Sequence, residues 1–101
     1  MTSSQPSPFA DQRLMSISVS EFAISIDMLG PHRDGPSGSK IFDLASGPVE
    51  ITFEALPGVT LGGLLALPRA KIELKFSDTV SPADRTTFVR LFETSFQRGG
   101  G

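Results

Sequence analysis

Two runs of strict alternation set the terms for everything else in this chain. Val49, Ile51, Phe53 and Ala55 are separated by Glu50, Thr52 and Glu54, and Ile72, Leu74 and Phe76 follow the same rule against Lys71, Glu73 and Lys75. A period of two puts successive side chains on opposite faces of a strand, so both runs demand a sheet with one dry face and one wet face. The dry face must be covered. The cover predicted from sequence is a helix over residues 81–98. Ser81 is a natural N-cap, Pro82 occupies the first helical position, and Asp84 in the first turn faces the positive end of the helix dipole. Phe88, Leu91, Phe92 and Phe96, with Val89 alongside, form one stripe at three-and-four spacing, while Arg85, Arg90, Glu93 and Gln97 are placed in water. Arg98 followed by three glycines ends the segment.

The remaining segments read less simply. Ile17 and Val19, then Phe22, Ile24, Ile26 and Met28, alternate with Ser and acidic residues, which predicts a strand ending at Leu29 with a bulge near Ser20 and Glu21. Residues 30–40, GPHRDGPSGSK, have no strongly apolar side chain and read as a long mobile loop. Ile41–Leu44 is a short edge strand, and Leu56-Pro57-Gly58 is a turn. Val59–Leu67 is almost continuously apolar, which suits a strand covered on both faces, with a short helix as the competing reading. The order is four or five strands followed by one C-terminal helix. This predicts an α+β class: a mainly antiparallel sheet, or a small β-barrel, with a C-terminal helix. At 101 residues the chain is one domain, with residues 1–14 a disordered N-terminal arm, 15–98 the α+β domain and 99–101 a flexible glycine tail.

Composition removes several function classes. Nine basic against eleven acidic side chains give a net charge of −2, and the basic residues are scattered, so no footprint for a phosphate backbone is visible and nucleic acid is not the expected partner. The absence of cysteine removes disulfides, thiolate chemistry and cysteine-based metal sites. No basic start with an apolar run opens the chain, and its longest apolar stretch, Leu61–Leu67, is far short of the roughly 20 residues of a membrane span. A soluble cytoplasmic protein without membrane insertion is expected.

Candidate chemistry is sparse. The single histidine, His32, lies in the Gly- and Pro-rich loop, where nothing packed would hold a catalytic base, and one histidine cannot furnish a metal triad. Gly35–Lys40 resembles a phosphate cradle in composition, but Ser39 separates Gly38 from Lys40 and a β-like run follows. Glu50 and Glu54 are four residues apart on one strand face, roughly 13 Å, beyond the about 6.5–9.5 Å that separates the carboxylates of an inverting glycosidase. No Gly-x-Ser-x-Gly elbow occurs. No enzyme, cofactor or metal site is expected. What does stand out is an apolar strand edge. Leu61, Leu64, Leu65 and Leu67 are the candidate partner contacts, and His32, Arg33 and Lys40 are candidate loop contacts. Together they suggest a protein-binding or assembly module, a small subunit or adaptor that meets another protein or forms a homo-oligomer.

One partial resemblance covers about a third of the chain. Gly58-Val59-Thr60-Leu61-Gly62-Gly63-Leu64-Leu65 looks like the strand-turn of PilZ domains that usually reads Asp/Asn-x-Ser-x-x-Gly. Residues 76–92, FSDTVSPADRTTFVRLF, are similar to that family's final strand and Ser-Pro-x-Asp-Arg helix entry. The resemblance implies a small β-barrel that binds a nucleotide second messenger, or a degenerate non-binding relative used in protein–protein contacts. Gly58 stands in place of the acidic residue and Thr60 in place of the serine. No Arg-x-x-x-Arg precedes them, and Arg13 is the one candidate to grip phosphates.

Overall fold

A computed structural model describes residues 10–62 and 65–100. It contains β1 (Ala10–Met15), α1 (Val19–Leu29), β2 (Arg33–Asp34), a 3₁₀ turn (Pro36–Gly38), β3 (Lys40–Asp43), β4 (Pro48–Leu61), β5 (Leu65–Phe76) and α2 (Pro82–Gly100). The strands form one antiparallel sheet in the order β1-β5-β4-β3-β2. The α+β class expected from sequence holds. The sheet is open and not a barrel, because β1 and β2 lie at opposite edges and do not meet.

Register explains the dry face. Val49 lies opposite Phe76, Ile51 opposite Leu74, Phe53 opposite Ile72 and Ala55 opposite Ala70, so the apolar sets of β4 and β5 coincide. Phe42 of β3, opposite Val49, joins them. Val49, Ile51, Ala70, Ile72 and Leu74 are fully buried. The opposite face is a charge ladder, with Glu50 across from Lys75 and Glu54 across from Lys71. Lys71 Nζ lies 3.2 Å from Glu54 Oε1. Such exposed pairs contribute about 0.2–1 kcal/mol each and keep this face wet.

Both helices cover the one dry face. Phe22 of α1 lies 4.9 Å from Phe53 and 5.8 Å from Phe96 of α2, measured between ring centroids. Phe96 stacks on Phe92 at 4.3 Å, and Phe88 meets Phe42 at 5.4 Å and Phe76 at 6.1 Å. Aromatic pairs at these separations add about 0.5–1.5 kcal/mol beyond the area they bury. The N-terminus of α2 is tied to the turn before β4. Ser81 Oγ accepts from the Asp84 amide, Asp84 Oδ2 accepts from Ser46 Oγ at 2.6 Å, and Ser46 Oγ accepts from the Ser81 amide.

Four expectations are corrected. Residues 19–29 form a helix rather than a strand. Ser18 and Glu21 make a reciprocal capping box, Ser18 Oγ accepting from the Glu21 amide and Glu21 Oε1 from the Ser18 amide. Only Phe22, Ser25 and Ile26 of this helix are buried, while Ile24 and Met28, which a strand would bury, are 59% and 50% exposed. Residues 10–14 are not part of an arm, since β1 pairs with β5 from Ala10↔Lys75 to Met15↔Ala70. The helix α2 continues through Gly99 and Gly100, two residues read as tail. Leu91 faces solvent, 52% exposed, because the buried stripe follows Phe88, Phe92, Ser95 and Phe96. No helix among the described residues is long and apolar enough to cross a membrane.

Truncating Phe92 to Ala should therefore cost about 3–5 kcal/mol, the range for a buried aromatic, whereas Leu91→Ala should stay within about 0.5 kcal/mol. Urea denaturation of the two variants checks both, and equal shifts in midpoint would contradict the packing.

Candidate interaction surface

The turn expected at Leu56-Pro57-Gly58 is a bulge, and it lets one hairpin grow past the rest of the sheet. The ladder runs to Leu56↔Arg69, shifts register, and resumes at Val59↔Leu67. Pro57 and Gly58 on β4 thus face the single Pro68 on β5. An extra residue on one strand needs no ladder hydrogen bond at that point, so both prolines are tolerated where a regular strand would exclude them. Gly58 is required by close approach, since a Cβ there would lie 2.9 Å from the Leu67 carbonyl oxygen. The ladder goes on to Leu61↔Leu65, and Gly62 next to it has a φ of +62°, the left-handed conformation that glycine adopts without strain. Leu61 and Leu65 are opposite each other at the end of the ladder. Residues 59–67 are therefore the two limbs of a hairpin end and not one strand covered on both faces.

The flanking strands stop short of this hairpin. β1 ends at Met15, opposite Ala70, and β3 pairs no further along β4 than Ile51. Beyond Ala55 and Ala70 the two limbs have no neighbouring strand among the described residues, and at about 3.3 Å per residue they overhang the sheet by roughly 20 Å. The elongation shows in the dimensions of 47 × 39 × 23 Å and a radius of gyration of 14.6 Å, against about 13 Å for a compact chain of this length. Residues 55–68 carry no charged side chain. Pro57, Gly58, Thr60, Ala66 and Pro68 are exposed and Leu56 and Leu67 half-buried. Of the four leucines expected at a partner contact, Leu67 lies on this arm, Leu61 and Leu65 hold its backbone register, and Leu64 falls outside the described residues.

The loop candidates are engaged within the chain. His32 Nδ1 lies 3.0 Å from the Gly30 carbonyl, its Nε2 lies 3.8 Å from Asp27 Oδ1, and its ring packs 5.3 Å from Phe42. Arg33 donates twice to Asp43, at 2.8 and 3.0 Å, and Lys40 donates to Asp34 at 2.6 Å. These pairs organise residues 33–43 as the β2–β3 hairpin with its 3₁₀ turn. The hydrogen bond from Lys40 holds the Asp34 carboxyl below its ordinary value of 3.8, the one from Arg33 does the same for Asp43, and Asp43 raises the Arg33 guanidinium in return.

Arg13, the residue that a nucleotide reading would need, donates from Nη1 to Glu93 Oε2 at 2.8 Å and lies over the Phe92 ring. Beside it, Gln12, Leu14, Met15, Phe92 and Phe96 line a groove of about 330 Å³ along the outer edge of β1. Sequence reasoning did not find this groove, because a strand reading A-D-Q-R-L-M has no apolar alternation to announce it. No three His, Asp or Glu side chains converge on a metal-sized site among the described residues. The chain matches no family model, no curated protein and no solved structure.

Because both aspartates have folded values below their unfolded one, near 3.9, their pairs support the β2–β3 hairpin at neutral pH, and that support disappears as pH falls through the folded values. Amide exchange followed from pH 6 to pH 3 should show the β2–β3 hairpin losing protection before the centre of β4–β5, and simultaneous loss would contradict this.

Proposed function

We propose that this protein is a non-enzymatic assembly or protein-binding module, a small subunit or adaptor whose contact element is the β4–β5 arm. The observation that carries the reading is the arm itself: a two-stranded, uncharged segment from Ala55 to Pro68, overhanging the sheet with no described strand on either side. Held in water alone, such an arm exposes apolar surface and two rows of backbone donors and acceptors, which is unfavourable in isolation and favourable against a partner. A partner can add a strand to either limb and cover the exposed Pro57, Ala66 and Pro68 at the same time. Catalysis has less support, since the charged side chains of the β2–β3 hairpin are paired with one another and Arg13 is paired with Glu93.

A photo-crosslinking amino acid placed at Thr60 or Ala66 in the native host should give one discrete protein adduct, and the same probe at Arg90 on the outer side of α2 should not. The absence of an adduct from both arm positions, or one equally strong from Arg90, would contradict the assignment.

A further inference from the structure

The two edges of the sheet are unequal. β2 is two residues long and is flanked by the Arg33–Asp43 and Lys40–Asp34 pairs, which blunt it against strand addition. β1 is six residues long, and among the described residues no strand pairs with its outer side. The groove lined by Met15, Phe92 and Phe96 runs along this edge, and Leu14 there is 65% exposed. A strand could add to β1 with backbone hydrogen bonds while its side chains complete the groove.

We infer that the occupant is β1 of a second copy, paired antiparallel about a two-fold axis at Gln12, so that two sheets join into one of ten strands. Charge selects this register. Directly opposed residues in an antiparallel pair share a face. Asp11 and Arg13 share the helix-covered face, being opposite Leu74 and Ile72 of β5. A two-fold axis at Gln12 sets Asp11 against Arg13 of the second copy, and Arg13 against its Asp11. Moving the axis one residue, to Arg13, would set arginine against arginine; like charges directly opposite are unfavourable. Asp11 forms no ion pair with a described residue, and Arg13 uses only one of its five donors on Glu93, so both can serve the partner. The contact is isologous and closes at two subunits. It does not use the arm. Since Met15 is the end of β1 nearer the arm and the axis reverses strand direction, the two arms leave the joined sheet at opposite ends, making the dimer bivalent.

The full chain is expected to sediment and scatter as a dimer at micromolar concentration. Asp11→Lys, which sets lysine against arginine, should weaken the dimer at least about tenfold while amide dispersion shows an intact fold. Arg13→Asp should do the same. An equimolar mixture of the two variants restores opposite charges at both contacts and should recover a heterodimer, an outcome that misfolding of either chain could not produce. A chain with residues 57–68 replaced by a short turn should still dimerise, which separates this interface from the role proposed for the arm. A monomeric native chain, a dimer indifferent to Asp11→Lys, no recovery in the mixture, or a dimer lost on shortening the arm would each overturn the proposal.

Discussion

A single layer of phenylalanines holds this protein together. Phe22 from α1 touches Phe53 on the sheet and Phe96 on α2, and Phe88 of α2 bridges Phe42 and Phe76 on β3 and β5. The chain has no tryptophan or tyrosine, so the rings that fill the layer bring no polar atom to satisfy, and the interior closes with few buried polar side chains, Ser25, Ser39 and Ser95 among them. The three central strands, β3, β4 and β5, present their apolar sides to that layer.

The layer forms on one face only, and the outward features follow from this. Both helices are used on the dry face, so the other face has to carry charge, which the ladder of Glu50, Glu54, Lys71 and Lys75 supplies. With no second layer to bound it, the sheet can extend sideways at β1 and lengthwise along β4–β5. The bulge at Pro57-Gly58 against Pro68 permits the lengthwise extension, and the unblunted edge of β1 permits the sideways one. These are the two places where we propose that a partner strand adds.

How far this was legible in the sequence depended on whether a local pattern had a single physical meaning. The runs at 49–55 and 71–76, and the capped stripe of α2, allow only one reading, and each gave an element of the right type. Residues 17–28 allow two. Phe22 and Ile26 satisfy both a helix face and a strand face, and the deciding signal was Ser18-x-x-Glu21, the reciprocal cap that fixes a helix start. The arm was legible as apolar surface but not as a hairpin, because Pro57 and Pro68 look like strand ends until their opposition across one bulge is known. The β1 edge was the least legible. Its register depends on residues more than 50 positions away in β5, and its inward face carries Asp11 and Arg13 where a buried strand would carry apolar side chains.

The proposed two-armed dimer joined at β1 is tested most directly by the distance between its arms. Spin labels attached at Thr60 of both copies should give one narrow dipolar distance distribution centred at roughly 45 Å or longer, from about 3.3 Å per residue measured outward along β5 in each direction from the axis. A distance below about 20 Å would mean that the arms pair with each other, and no dipolar coupling at all would mean that the subunits do not join; either result would contradict the account.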